Sequence, residues 1–397
     1  MTNRRNFLKQ SAVIATSSIF VPRFISAGEK NTGADYQGKK LVVVQMDGGN
    51  DGLNTIIPYR NDIYYQLRPN IAIPPEEVIP ITDELGLNAS MKAMQALYEN
   101  GELAIINNVG YPNPDRSHFR SMDIWHTASD SDVYLKTGWL GRMLDTCCPQ
   151  DAGQHFGLEA GEMLCLALKG NRMKGMAVED LNRLYRTTRD SFLNNIATRH
   201  HNAGDTVDYL YKTLIDTRES AAYLKEKADL YKTNVEYPPN MLAHDLSGIA
   251  RLINTGSETK VYYVSISGFD THAYQVEQQN NLLETVSNSL AAFVSDLKQA
   301  GQLDSTLILV FSEFGRRVKE NGSLGTDHGT ANNVWLIGGN LKKTGFLNER
   351  PDLEYLDEDD LRFSVDFRSV YATILDNFLD VNSQLVLGRE FENLGFI

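Results

Sequence analysis

The sequence predicts an α/β protein with a mostly parallel central sheet and helices on both faces. Short runs of β-branched and other apolar residues alternate with longer segments of helical periodicity, and the connections between successive strands are long enough for crossovers. No linker rich in Pro, Gly or Ser and no fixed-period repeat interrupts the 397 residues. We therefore expect one large domain over residues 36–397.

The main elements can be placed in order along the chain. Apolar runs predict strands at 40–46, 103–110, 261–268 and 305–312. Helical spacing of apolar residues predicts helices over 90–103 and 276–301. The segment from about 175 to 255 is helical in pattern and rich in charge, and it predicts a solvated helical insertion in the domain.

Residues 1–27 have the pattern of a removable export signal. Arg4 and Arg5 begin the stretch "RRNFLK", which is followed by a short apolar run and by small residues at Ser26 and Ala27. The run is too short and too interrupted to predict stable membrane insertion. It resembles a twin-arginine signal, which implies export of folded protein to the periplasm, or otherwise out of the cytoplasm, by the twin-arginine machinery. The alternative is a basic amphipathic helix.

The charge of the chain argues against nucleic acid as a partner. The sequence has 38 basic and 51 acidic residues, and removal of residues 1–27 would change the net charge from −13 to −17. Such an acidic surface repels phosphate backbones. Cys147, Cys148 and Cys165 lack C-x-x-C or Cys/His spacing, which excludes a thiolate zinc site. One bridge from Cys165 to Cys147 or Cys148, or free thiols, would fit.

Three of the predicted strands are each followed by a carboxylate, namely Asp47, Asp270 and Glu313. The carboxyl ends of parallel strands form the edge at which α/β sheets bind ligands. Three carboxylates in one crevice repel each other and are costly to desolvate unless a cation compensates them. With His272 and His328 as added ligands, the set suits a divalent metal such as Zn²⁺, Mn²⁺, Mg²⁺ or Ca²⁺.

Several separated stretches together resemble one exported bacterial family. The stretches are "VVVQMDGGNDGLNTIIPY", "RSHFRSMDIWHTA", "GFDTH" and "VFSEFGRRVKENGSLGTDHGTANNVWLIGG", with the twin-arginine start. In this order they resemble the DUF1501 family, a set of proteins of unassigned function that is similar to the alkaline phosphatase and sulfatase superfamily. The resemblance covers nearly the whole mature chain and implies an alkaline phosphatase-like fold.

The resemblance also implies metal ligands. Asp47 stands where the superfamily places its first metal-binding carboxylate, and Asp270 and His272 stand near its second Asp/His group. Glu313 occupies the carboxylate position of a strand-ending Asp-His pair. Phe314 replaces the histidine of that pair, which implies a single-metal or altered site. The first of these residues has a simpler explanation, because Asp47 would also cap the "GGNDG" turn.

Further residues are assigned to the site by the same resemblance. His328 resembles the late histidine of the superfamily, and Asp327 either binds the metal or orients His328. Ser117, in "PNPDRSHFRSMDIW", is the best candidate for the nucleophile at a helix start, and its alternative is a plain N-cap. Arg316 is a candidate for contacting a bound anion or a carboxylate, and its alternative is a solvated residue at a helix start.

The function implied is metal-dependent hydrolysis of phosphate or sulfate esters, with Zn, Mn or Ca as the metal and a small-molecule or carbohydrate ester as substrate. A second hypothesis is a non-catalytic periplasmic binding or assembly protein that retains the fold. A third is a calcium-stabilised structural protein, because "DGGNDG" is rich in oxygen ligands. That stretch lacks the spacing of a known calcium loop.

Overall fold

A computed structural model describes residues 38–149, 153–193 and 205–397. The predicted export signal, residues 1–27, lies outside the described residues. The strands are β1 (Lys40–Asp47), β2 (Ile56–Ile57), β3 (Val78–Pro80), β4 (Gly86–Asn88), β5 (Leu103–Gly110), β6 (Gly157–Ala160), β7 (Met176–Ala177), β8 (Val261–Ser267), β9 (Thr306–Phe311), β10 (Asn332–Gly338), β11 (Gly345–Phe346) and β12 (Val365–Asp366). The helices are α1 (Gly52–Thr55), α2 (Asp62–Leu67), α3 (Lys92–Glu99), α4 (His118–Thr127), α5 (Trp139–Cys147), α6 (Leu181–Thr188), α7 (Asp205–Asp229), α8 (Met241–Asn254), α9 (Gln275–Gln299), α10 (Phe367–Thr373) and α11 (Ser383–Leu387).

A nine-stranded sheet organises the fold. Its strand order is β11-β5-β10-β9-β1-β8-β6-β7, and β12 pairs with β5. β10 is antiparallel to β9 and β5, whereas the other pairs in this sheet are parallel. A separate small antiparallel sheet has the order β2-β4-β3. The predicted mostly parallel α/β sheet is therefore confirmed, and β9, β1 and β8 lie side by side in it.

Helices cover both faces of this sheet because both faces of its strands are apolar. Leu41 and Val43 of β1 belong to a core that includes residues of α4, α5 and α10. Val42 and Val44 point to the opposite face, into a core shared with α3, α8 and α9. Alternation of side chains along a strand explains why a continuous apolar run is needed for a strand buried on both sides.

The segment from 175 to 255 contains β7, α6, α7 and α8. β7 extends the central sheet beyond β6. Leu246 and Ile249 of α8 are buried in the same core as Val42 of β1. Within the described residues, then, part of this segment packs on the sheet, and the extent of a helical insertion stays a prediction.

Two further features complete the fold. α7 and α9 have 25 residues each, and no helix in the described parts of the chain is both long and apolar enough to cross a membrane. The three cysteines are free thiols, and the Sγ atoms of Cys147 and Cys148 lie 3.7 Å apart.

Candidate metal centre

The carboxyl ends of β1, β8 and β9 meet at one edge of the sheet. The backbone N–H of Phe269 donates a hydrogen bond to the carbonyl oxygen of Asp47 at 3.1 Å, which ties the ends of β8 and β1 together. The N–H of Gly48 donates to Oε1 of Glu313 at 2.9 Å and links β1 to the residue after β9. The three strand-end carboxylates predicted to converge therefore lie at one edge.

The turn "GGNDG" after β1 is shaped by close contacts with neighbouring loops. Gly48 has φ +119°, and a Cβ atom there would collide with the backbone of Phe269 and Asp270. The second carboxylate of the turn, Asp51, accepts a hydrogen bond from the N–H of Leu53 at 3.2 Å and pairs with Arg68 at 2.6 Å, with both side chains fully buried. Gly48 thus allows the close approach of the neighbouring loop, and Asp51 stabilises the turn through buried contacts. Asp47 is the carboxylate of this stretch that remains at the sheet edge.

Asp270 is the centre of a cluster of nitrogen atoms. Its Oδ1 lies 2.8 Å from Nη2 of Arg316. The Nε2 atoms of three imidazoles surround the same oxygen, at 3.0 Å for His272, 3.1 Å for His328 and 3.5 Å for His118. A single carboxylate oxygen has lone pairs for about two strong hydrogen bonds, so four nitrogen atoms exceed its capacity.

The second ring nitrogen of each imidazole faces an acceptor on the protein. The Nδ1 contacts are Glu313 Oε1 at 2.8 Å for His118, the carbonyl oxygen of Arg116 at 2.8 Å for His328, and Asp327 Oδ1 at 3.4 Å for His272. A carbonyl oxygen only accepts, so Nδ1 of His328 carries a proton, and Nε2 is the ring nitrogen left to face the cluster. An imidazole fixed in this way by an oxygen acceptor is the usual arrangement of a metal-binding histidine.

These residues fit a divalent metal. The Nε2 atom of His118 is buried and has no hydrogen-bond partner. Ligand atoms of His118, Asp270 and His328 all lie within 4.8 Å of one another, and Nε2 of His272 lies 2.9 Å from Nε2 of His328. Three imidazoles and one carboxylate supply nitrogen and oxygen donors that Zn²⁺ binds well and suit Mn²⁺ less well, whereas Ca²⁺ prefers an all-oxygen shell.

The electrostatics of the cluster follow from its contacts. Burial would raise the pKa of Asp270, but hydrogen bonds from Arg316 and His328 outweigh it and hold the pKa at about 2. The hydrogen bond to Glu313 raises the pKa of His118. Burial, and then the charge of Glu313, raises the pKa of Asp47. Asp270 is therefore held as an anion beside Arg316. In contrast, burial and the negative charge of Glu313 disfavour the ionised form of Asp47.

The structure places the predicted catalytic residues at different depths. Ser117 is exposed at the N-cap of α4, directly before His118, and its hydroxyl makes no capping hydrogen bond. The guanidinium of Arg316 is fully buried. It donates to the carbonyl oxygens of Gly49 at 2.7 Å, Phe269 at 2.9 Å and Thr326 at 3.0 Å. Arg316 is thus not a solvated residue. Of the two contacts predicted for it, a bound anion or a carboxylate, the structure shows the second, with Asp270.

The remaining predicted metal ligands lie in the same cluster. Glu313 and Asp327 contact imidazole nitrogens, and Asp327 contacts His272 instead of the neighbouring His328. Sequence reasoning missed His118. The one sequence feature that pointed to His118 was its position directly after Ser117 at a helix start. Its contact with Glu313 could not be predicted, because the two residues are 195 positions apart in the chain.

Comparisons with known proteins find one family and several similar solved structures. Residues 104–390 match the family described as "Protein of unknown function (DUF1501)". No curated protein sequence matches the chain.

Three of the similar solved structures come from named bacteria. The C-terminal periplasmic domain of EcEptC from Escherichia coli, in complex with Zn, is 11% identical, with 78% of this chain and 75% of that chain covered and a TM-score of 0.38. The PsFucS1 sulfatase from Pseudoalteromonas sp. is 13% identical, with coverage of 98% and 77% and a TM-score of 0.38. A protein in the alkaline phosphatase superfamily from Vibrio parahaemolyticus is 11% identical, with coverage of 86% and 70% and a TM-score of 0.33.

Proposed function

The chain belongs to the DUF1501 family of proteins of unknown function, and we propose that it is an exported, metal-dependent hydrolase of phosphate or sulfate esters. One observation carries this proposal. Three imidazoles direct Nε2 at a single oxygen of Asp270, while the Nδ1 atom of each faces its own oxygen acceptor. Imidazoles whose Nδ1 atoms are held by oxygen acceptors in this way are oriented to bind a cation through Nε2.

In this proposal His118, Asp270, His272 and His328 hold the metal. Glu313, Asp327 and the carbonyl group of Arg116 set the orientation of the three rings. When bound, the metal supplies Lewis-acid polarisation of an ester oxygen and lowers the pKa of a bound hydroxyl or water. Three nitrogen ligands favour Zn²⁺ over the other metals expected from the sequence.

Ser117 is the group that we assign as nucleophile. Its hydroxyl is exposed, is not used as a helix cap, and precedes the ligand His118 in the chain. The N–H groups of the first turn of α4 lack helical partners and can donate hydrogen bonds to an anionic group. This position supports a role in which the hydroxyl of Ser117 and these backbone donors act on the same phosphoryl or sulfuryl group.

Arg316 and Asp47 have supporting roles in this mechanism. Arg316 binds the carbonyl oxygens of three loops and Asp270 together, so it positions the metal-binding carboxylate and does not contact substrate. Burial, and then the charge of Glu313, raises the pKa of Asp47, so a cation bound beside this carboxyl group would favour its ionised form.

Metal content tests the site directly. We would purify the full chain, His118→Ala and Asp270→Asn, and measure bound metals by elemental analysis. His244→Ala is the matched control, because the His244 side chain is 75% exposed and its Nδ1 atom lies 3.3 Å from Oδ1 of the neighbouring Asp245. We expect near-stoichiometric zinc in the wild type and the control and a large loss in both site variants. Equal metal in all four proteins would contradict the proposed ligands.

Ester hydrolysis tests the activity. 4-Nitrophenyl phosphate, bis(4-nitrophenyl) phosphate and 4-nitrophenyl sulfate separate phosphomonoesterase, phosphodiesterase and sulfatase activity. Hydrolysis that is lost in Asp270→Asn and retained in His244→Ala would support the proposal. No turnover of any ester by metal-loaded protein would contradict it.

A second candidate function is a non-catalytic binding or assembly protein that retains the fold. One observation favours it: the buried Arg316 already lies 2.8 Å from Asp270, so part of the charge of this carboxylate is balanced by the protein itself. Metal-free, folded protein in the analysis above would support this candidate.

Export is part of the proposal and has its own test. Residues 1–27 carry the twin-arginine pattern. Replacing Arg4 and Arg5 together by Lys keeps the charge but removes the paired arginines that this signal requires. We expect wild-type protein in the periplasmic fraction and the double variant in the cytoplasm, and periplasmic accumulation of both would contradict twin-arginine export.

A further inference from the structure

Tyr274 is exposed and lies in an unfavourable backbone conformation next to the metal centre. Its side chain is 77% exposed. Its backbone has φ 47° and ψ 43°, in the left-handed region that a bulky residue rarely adopts. Strained residues that persist in a well-packed setting concentrate at binding sites. Tyr274 follows the ligand His272 by two residues, so their Cα atoms are at most about 7 Å apart.

The backbone around Tyr274 is fixed on both sides. The N–H of Tyr274 donates to the carbonyl oxygen of Ser323 at 3.0 Å, and the N–H of Gln275 donates to that of Leu324 at 2.9 Å. The side chain of Gln275 is buried and accepts a hydrogen bond from the hydroxyl of Thr326 at 2.7 Å. The next residue is therefore anchored in the core, while the aromatic ring of Tyr274 is held out in solvent.

Tyr274 stands at the head of a groove along the first three turns of α9. The groove is shallow and open to solvent, has a volume of about 420 Å³, and is lined by Tyr274, Glu277, Gln278, Asn281, Leu282 and Thr285. These residues recur at three- and four-residue spacing, so they form one stripe on the helix. Gln278 is fixed by a hydrogen bond from its Nε2 to the carbonyl oxygen of Gly268 at 2.6 Å. The lining thus combines one aromatic ring with amide, hydroxyl and carboxylate groups.

We propose that this groove binds a neutral carbohydrate chain, with Tyr274 as the stacking platform. The face of an aromatic ring packs against the apolar face of a sugar, and its hydroxyl remains free for hydrogen bonding. Amide and hydroxyl side chains both donate and accept hydrogen bonds, as sugar hydroxyls require. Glu277 and the net charge of −13 disfavour a polyanionic ligand.

The link between this groove and the metal centre rests on the proposed function. Because His272 and Tyr274 are separated by one residue, the groove begins beside a metal ligand, and one saccharide chain can serve both. The substrate class is then a sulfated or phosphorylated saccharide whose unmodified residues occupy the groove.

Binding of unmodified sugars tests the groove without any hydrolysis. We would titrate the full chain with cellohexaose, maltohexaose, mannohexaose and chitohexaose and measure heat by calorimetry. We expect at least one to bind, with affinity roughly tenfold weaker in Tyr274→Ala, which corresponds to about 1.4 kcal/mol. Tyr274→Phe should bind nearly as the wild type does. Tyr355→Ala is the matched control, since Tyr355 is also an exposed tyrosine, at 67%.

The outcomes separate this inference from the proposed hydrolase. Asp270→Asn should bind the same oligosaccharide as the wild type even where ester hydrolysis is lost. Asn281→Ala provides a second groove variant that leaves the strained position intact, and it too should weaken binding. No heat with any of these sugars at millimolar concentration would overturn the inference, as would equal affinity in Tyr274→Ala and Tyr355→Ala, whatever the metal and ester assays show.

Discussion

The Nε2 atoms of His272 and His328 lie 2.9 Å apart. Nδ1 of His328 donates to the carbonyl oxygen of Arg116, so Nε2 of His328 is the ring nitrogen that faces His272 and Asp270. Two imidazole nitrogens lie this close when one of them donates a hydrogen bond to the other, or when both bind one metal ion. Metal binding to histidine displaces protons, so the same geometry serves either state.

Glu313→Gln should weaken metal binding without removing a ligand. The carboxylate of Glu313 accepts a hydrogen bond from Nδ1 of His118 at 2.8 Å and is fully buried. Loss of such an orienting partner typically lowers metal affinity by about 10- to 100-fold. Competition with a zinc chelator would measure the change.

Glu320→Gln is the control for this substitution. Glu320 also accepts backbone hydrogen bonds, from Asn70 at 2.9 Å and Ile71 at 3.1 Å, but these partners are not part of the metal centre. An affinity that falls equally in both variants would show that general destabilisation, and not the orientation of His118, is responsible.

Arg316→Lys should destabilise the fold. The guanidinium donates to carbonyl groups of three loops, and a lysine ammonium cannot match this planar set of donors. Buried carbonyl oxygens and Asp270 would lose their partners, so we expect the free energy of unfolding to fall by about 3 kcal/mol. Urea denaturation measures it. Arg362→Ala, at an exposed arginine, should change stability by less than about 0.5 kcal/mol. Equal stability of Arg316→Lys and Arg362→Ala would refute this role.

The sequence predicted the sheet edge better than the side chains that complete it. β1, β9 and the first half of β8 could be predicted because strands buried on both faces need continuous apolar runs, and a carboxylate stands at or just after the end of each of the three strands. The role of His118 in the cluster could not be predicted from the sequence, because the position of its side chain depends on how α4 packs against the sheet. The burial of Arg316 was likewise hidden, since its partners come from loops far apart in the chain.

Ser117→Ala should abolish ester hydrolysis and leave metal and fold unchanged. The hydroxyl makes no capping hydrogen bond and is exposed, so its removal should cost less than about 0.5 kcal/mol of stability. As the nucleophile, its loss should lower kcat by about 10³-fold or more. Single-turnover hydrolysis of the ester that the wild type prefers measures this. Ser364→Ala, at another exposed serine, is the control, and a Ser117→Ala variant as active as this control would exclude Ser117 as nucleophile.

Stability should depend on pH through Glu159, which lies on β6 away from the metal ligands. Burial raises the pKa of Glu159 from its ordinary value of 4.5 to about 7, although the N–H of Cys165 donates to it at 2.5 Å. Below pH 4.5 this carboxyl group is protonated in both folded and unfolded chains. As pH rises toward 7, the unfolded chain loses the proton first, so the folded state loses stability by about 3 kcal/mol.

Glu159→Gln isolates this contribution. The amide keeps the shape and the acceptor oxygen but does not ionise, so the variant should lose less stability than the wild type between pH 4.5 and about 7. Urea denaturation at several pH values measures the two slopes. Glu162→Gln changes an exposed neighbour and should follow the wild-type curve. Parallel curves for wild type and Glu159→Gln would mean that Glu159 ionises freely in the folded protein, and that water or a cation reaches its side chain.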